Sequence, residues 1–215
     1  MQDLKVIHQD DHLLVLDKPA GQLAVPGRGA DKQDCLSLRA QHRWPDALIV
    51  HRLDMATSGL MLMARGAQMQ RLLSEAFATR LVHKRYEAVV DGLLEVPSTP
   101  DGWSVIDLPI IVDWPNRPLR IIDTERGKPS TTRWRVISHD RAANTTRLEL
   151  EPVTGRSHQL RVHLKAAGHA ILGDGLYGTP ATLAMAPRLL LHAHALGFVH
   201  PVTGKVLQFE SPVPF

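Results

Sequence analysis

The run Leu60-Met61-Leu62-Met63-Ala64 limits most severely what this chain can fold into. It lies directly behind a turn of small residues, Ala56-Thr57-Ser58-Gly59. A short apolar run bounded by a turn reads as a buried strand. Such a strand needs a sheet around it and a layer to cover it. With 215 residues, 44% of them hydrophobic, the chain is long enough for one large domain or two small lobes, and disorder is not expected. The residues ahead of the turn, His51-Arg52-Leu53-Asp54, then sit on a loop held by the core, where reactive groups are often placed. Taken alone, Asp54 is better explained as a turn or helix-cap residue.

Around that run the chain alternates between short strands and loops. Leu4 to His8 and Leu13 to Asp17 predict two strands, with Asp10-Asp11 as their turn. Lys18 to Gly21 and Val25 to Gly29 are loop, because Pro and Gly punctuate both. A short helix capped by Asp34 ends before Pro45, and Ala47 to Val50 leads as a strand into the His51 loop. Ala67 to Arg80 predicts a helix whose core face carries Met69, Leu72, Leu73, Ala76 and Phe77. Lys84 to Val90 is a strand with Lys84, Tyr86, Ala88 and Val90 on one face; Tyr86 on propensity alone is a core or edge aromatic. Ser130 to Ile137 and Thr145 to Leu150 predict a hairpin. A helix then opens within Val153 to Leu164, with Thr154 or Ser157 near its cap. Leu160, His163, Leu164 and Ala167 form its stripe and Gly168 ends it. Leu189 to Phe198 and Lys205 to Glu210 are closing strands. Many strands with few helices predict an α+β fold: a mixed, mainly antiparallel central sheet with flanking helices and loops.

Charge and motif content narrow the function classes. Lys and Arg number 25 against 22 Asp and Glu, a net charge of +3, which permits a polyanionic partner without requiring one. The single cysteine, Cys35, forbids an internal disulfide and fits a reducing, cytoplasmic setting. Residues 1–11 show no signal-peptide core, and no apolar run approaches the ~20 residues of a membrane span. No phosphate-binding GxxxxGK loop, no GxGxxG after a strand and no paired-cysteine zinc spacing is present. Twelve histidines raise a metal hypothesis. His192 and His194 share a strand face, yet His158 and His163 diverge on a helix, so structural or RNA-facing histidines are the better reading and no metal is expected. Trp114, with Arg117 and Arg120 nearby, sets an aromatic beside cations. That suits contact with single-stranded RNA, and equally a Trp that anchors a Pro-rich loop.

The stretch His51-Arg52-Leu53-Asp54-Met55-Ala56-Thr57-Ser58-Gly59 resembles the HRLD-x-x-TSG motif of the RluA family of pseudouridine synthases. Lys84-Arg85-Tyr86, Gly155 to Arg161, Gly173-Asp174-x-x-Tyr177-Gly178 and Arg188 to Ala193 resemble later family motifs, in family order. The likeness runs from about Asp10 to the C-terminus. It implies the pseudouridine synthase fold and an isomerase that turns uridine into pseudouridine within folded RNA, with no redox partner, energy donor or other cofactor. It implies that Asp54 is the catalytic carboxylate, either a nucleophile on the sugar or a base at C2′. Arg156 would pair with that carboxylate and keep it ionised, and Tyr86 would stack on the target base and move a proton. Arg52 matches a position that fills the space an extruded uridine leaves, and Leu190 or Leu191 would supply apolar packing. Arg28, Lys84, Arg133 and Arg161, with Arg135 and Lys165, are candidates for phosphate contact.

The strings Val25 to Arg28, Met55 to Leu60, Val112 to Pro118 and Met185 to Ala193 resemble in particular a short member of the family. That member modifies both a 23S rRNA hairpin and the tRNA anticodon stem-loop. Only a short segment precedes the first strands, so no S4 RNA-binding domain is expected and residues 1–215 are read as one catalytic domain. A monomer without membrane attachment or an obligate protein partner is expected. The alternatives are a synthase acting on one of those RNAs, a non-catalytic RNA-binding or chaperone module, and a histidine-based metal-dependent hydrolase.

Overall fold

A computed structural model describes residues 4–215. The reading of residues 1–11 as free of a signal core rests in part on residues 1–3, which lie outside the described residues. In chain order the first elements are β1 (Lys5–Gln9), β2 (Leu13–Lys18), α1 (Leu36–Arg43), β3 (Ala47–Ile49), β4 (Ser58–Arg65), α2 (Ala67–Ala78) and β5 (His83–Asp91). There follow β6 (Ser104–Asp107), β7 (Ile110–Val112), β8 (Arg120–Ile122), β9 (Thr131–Asp140) and β10 (Thr145–Pro152). The last are α3 (Gln159–Ala166), α4 (Pro180–Ala184), β11 (Leu191–Val199) and β12 (Val206–Glu210). They fall into two compact units. One holds the chain up to Lys84 with His192–Pro214, the other Arg85–Leu191 with Phe215. The fold is α+β with mainly antiparallel strands, as expected.

In the first unit the strand order is β1-β2-β4-β11, with β12 on β11 and β3 on β4. β4 and β11 run parallel, through His192 opposite Ser58 and Ala193 opposite Gly59. β4 is the strand the apolar run predicts, and all its residues but Arg65 are buried. Leu60, Leu62 and Ala64 pack with Leu13, Val15, Met69 and Leu73 on one side. Met61 and Met63 pack with Leu14, Leu16, Leu36 and Ala40 on the other. A strand covered on both faces needs apolar residues at every position, which is why the run is continuous. Each fully buried Leu contributes about 1.5–3 kcal/mol. The start of α1 departs from expectation. Cys35, not Asp34, is the N-cap, because both carboxylate oxygens of Asp34 are engaged by Arg39 at 2.6 Å.

In the second unit β5, β10, β9 and β6 form an antiparallel run. Tyr86, Ala88 and Val90 on β5 and Thr146, Leu148 and Leu150 on β10 are buried, following the alternation of the sequence. The elements the sequence did not reveal (β6, β7, β8 and α4) are three to five residues long, too short for periodicity to register. The helix α3 differs more. Every residue from Gln159 to Leu164 is buried, and the N-cap is His158 at φ 59 rather than Thr154 or Ser157. Ala167, placed in the apolar stripe by spacing, is exposed.

Gly59 explains the small residues behind Asp54. Its φ is +114°, and a Cβ there would collide with the backbone of Ala193, its neighbour on β11. Gly59→Ala is expected to destabilise the chain by about 3 kcal/mol or more, from backbone strain added to overpacking. Urea denaturation reads this directly, and an unchanged midpoint would contradict the close approach.

Candidate active site

Asp54 lies half-buried on the loop between β3 and β4. Its carbonyl accepts the Thr57 N–H at 3.1 Å, which closes the turn. The next carbonyl, that of Met55, accepts the Gly21 N–H at 2.9 Å and the Lys18 ammonium at 3.1 Å. Lys18 is 0% exposed, and its other bonds run to the carbonyls of Pro19 at 3.0 Å and Gln22 at 2.9 Å. Three ammonium protons thus meet three carbonyl oxygens, the condition under which a cation can be buried. Sequence reasoning missed Lys18 and read it as the start of a Pro-Gly loop. The available signal was its register, since it continues the buried alternation Leu14, Leu16 along β2.

His51 anchors the other end of the loop. Its Nε2 accepts the Leu62 N–H at 2.8 Å, and its ring stacks on Phe77 with centroids 4.5 Å apart. Burial, and then the positive charge of Lys84, lower its pKa from 6.5 to about 3. The ring is therefore neutral near pH 7, with Nε2 as acceptor and the proton on Nδ1. Arg52 and Arg28 are exposed, and Lys84 is half-buried.

In the second unit Tyr86 is buried on β5 opposite Leu150. Leu190 is half-buried; its N–H donates to Leu172 and its carbonyl accepts from Val89. Arg156 is exposed on the loop ahead of α3, and its N–H donates to Gln159 Oε1 at 3.0 Å. The same oxygen accepts the Thr154 hydroxyl at 2.7 Å, while Gln159 Nε2 donates to Thr131 O and Thr132 Oγ1 at 3.0 Å each. One buried amide therefore ties the Arg156 loop to β9. Two further contacts join this segment to the later Gly-Asp-x-x-Tyr-Gly stretch. Arg161 binds Asp174 through Nε at 2.8 Å and Nη2 at 2.6 Å, and His158 Nδ1 lies 2.7 Å from the Tyr177 hydroxyl. Burial pushes the Asp174 carboxyl up, but the Arg161 guanidinium and the N–H groups of Leu176 and Tyr177 outweigh it and hold it below the usual carboxylate value.

Two of the expected phosphate contacts are engaged by carboxylates within the protein. Arg161 is buried in an ion pair with Asp174, out of reach of solvent. Arg133 is bound to Glu151 at 3.0 Å and Asp101 at 2.9 Å, so its charge is balanced within the protein. Arg28 and Arg52 keep their exposure. Among the described residues no group of three or more His, Cys, Asp or Glu is arranged to hold a metal ion. No described helix is long and apolar enough to cross a membrane.

Residues 12–166 match the sequence model of the RNA pseudouridylate synthase family, and the chain belongs to that family. Within it, the dual-specificity RNA pseudouridine synthase RluA of Escherichia coli O6:H1 is 48% identical over 212 residues, covering 99% of this chain and 94% of the relative. The protein of that description from Vibrio vulnificus is 46% identical, covering 98% of this chain and 84% of its own length. Among solved structures, human RNA pseudouridylate synthase domain containing 1 aligns with a TM-score of 0.78 at 28% identity. That alignment covers 99% of this chain and 84% of the human one.

The buried histidine gives the pH dependence a sign. Folded His51 stays neutral down to about 3, whereas the unfolded ring takes a proton below its ordinary 6.5. The unfolded state then binds more protons, so its contribution to stability is full above that value and is lost as pH falls, by up to about 1.4 kcal/mol per pH unit. His51→Gln keeps an acceptor near Nε2 but does not titrate. Denaturation between pH 6.5 and 4 is expected to show a shallower acid limb for the variant, and parallel limbs would contradict the assignment.

Proposed function

We propose that this chain isomerises uridine to pseudouridine in two structured RNAs, a tRNA anticodon stem-loop and a 23S rRNA hairpin. The observation that carries the reading is the Asp54 turn, held at Met55 by Lys18 and Gly21 and followed by a strand buried on both faces. The dual specificity in the names of its relatives supports two substrates, and the motif resemblance supplies the choice of RNAs. Recognition of a shared loop shape, rather than of a long sequence, suits two targets.

The reaction breaks the N1–C1′ bond, turns the uracil and joins C5 to C1′. The C5 proton leaves and N1 gains one, so no oxidant or energy donor enters. Asp54 acts at the ribose. Tyr86 offers a ring for the base and a hydroxyl for proton movement, Arg156 supplies a cation, and Leu190 gives apolar packing. Extruding the uridine costs a few kcal/mol, which Arg52 offsets by filling the vacated space. Arg28 and Lys84 meet phosphates. Trp114 is 64% exposed with the Arg117 guanidinium 4.7 Å from its ring, a platform for a single-stranded base. The chain works as a single catalytic domain, monomeric and without an obligate protein partner. The cytoplasm, where both RNAs reside, is its compartment.

Tritium release from RNA labelled at uridine C5, in the presence of chelator, tests this. The wild type should release tritium from both RNAs, and Asp54→Ala should be slower by about 10³-fold or more. Release from one RNA alone would reduce the specificity to that substrate, and tight binding without release from either would favour the binding-module reading. Tyr86→Phe is expected to keep RNA affinity within about threefold while losing most turnover. Unchanged turnover would remove the proton role and leave stacking.

A further inference from the structure

Behind the Asp54 turn runs a chain of buried polar side chains that the chemistry above does not use. Ser58 Oγ lies 2.8 Å from His192 Nδ1, and His192 Nε2 lies 3.2 Å from Ser211 Oγ. Ser211 Oγ donates to Asp17 Oδ2 at 2.8 Å, and the Lys5 ammonium reaches the same oxygen at 2.7 Å. His192 is 2% exposed, and Ser58 and Ser211 are buried with it.

Proton counting orders the chain. Ser211 gives its one hydroxyl proton to Asp17 Oδ2. Ser211 must then accept from His192, which places the ring proton on Nε2. In the neutral ring Nδ1 then carries no proton and accepts the Ser58 hydroxyl. Every bond thus points from the Ser58 end towards Asp17.

The placement of this chain gives it a role. Asp17 and Lys18 end β2 and pair with Leu60 and Gly59 at the start of β4. Adjacent residues on a strand face opposite ways. Lys18 takes the Met55 carbonyl, while Asp17, through Ser211 and His192, takes the Ser58 side chain. The Asp54 turn is therefore bracketed on both sides from one strand end. Buried hydrogen bonds of this kind cost desolvation that apolar packing would not, and they return a fixed direction.

We propose that His192 is a positioning residue. With Ser58 and Ser211 it holds the Asp54 turn in the geometry used for isomerisation, so the segment after β12 belongs to the catalytic apparatus. This rests on the reading of Asp54 as the catalytic carboxylate.

The test compares full-length wild type with His192→Asn, His192→Leu and Ser211→Ala. Single-turnover rate, RNA affinity, thermal melting and nitrogen NMR of labelled histidine are read on each. Asn offers a side-chain oxygen near the Nδ1 position, whereas Leu fills the space without an acceptor. His192→Leu should slow the single-turnover step by about 10–100-fold, the scale of a misplacement near 1 Å, with RNA affinity little changed. His192→Asn should recover most of that rate, and the wild-type ring should carry its proton on Nε2. Equal slowing by Asn and Leu, no slowing by Leu, or a ring protonated on Nδ1 would overturn the proposal. If the Leu variant does not fold, Ser211→Ala decides: a slowed rate with retained affinity supports the chain, and a wild-type rate overturns it. A wild type that isomerises no RNA overturns the functional reading and the positioning role with it, while the NMR signal still reports the proton order by itself.

Discussion

An ammonium with no exposed surface persists in a protein only when its protons all have acceptors. At Lys18 those acceptors are three backbone carbonyls, two from the loop that follows it and one from Met55, far along the chain. Unpairing a buried cation costs several kcal/mol, so burial of this charge forces the two loops together. The loop that presents Asp54 owes its shape to that condition more than to its own sequence. β4 supplies the rigid support, since a strand packed on both faces has no room to shift without opening a cavity. Gly59 lets β11 approach where any side chain would block it.

The second unit spends much of its charge internally. Arg85, Arg133 and Arg135 lie over the ring of Trp103 at 4.5–4.9 Å and pair with Glu149 and Glu151. Arg161 is consumed by Asp174. Such a surface is zwitterionic and attracts a polyanion weakly. Exposed cations such as Arg28, Arg52 and Arg156 lie outside these pairs. A net charge of +3 understates their effect, because the balanced pairs contribute nothing at a distance.

Elements with a strong period were readable in the sequence. The apolar run of β4 and the alternation of β5 and β10 lie where spacing puts them, as does the stripe of α2 apart from Leu72, which is exposed. The family motifs were also readable, but their spacing does not say which residues hold the loop and which meet substrate. Arg161 shows why. A charged residue on a short helix reads as surface, and only Asp174, on the segment beyond the helix, turns it into a buried ion pair. Gln159 and His158 are similar cases, with partners on β9 and at Tyr177. Asp34 failed as a cap because Arg39 offered it a stronger bond than the helix N-terminus did.

The most direct measurement is nucleoside analysis of an anticodon stem-loop after a single turnover with purified protein. The account predicts that one uridine is lost for each pseudouridine gained and that the mass of the RNA does not change, since the base is returned to the same sugar. A change in mass, or an RNA bound tightly yet recovered with its uridines intact, would contradict it.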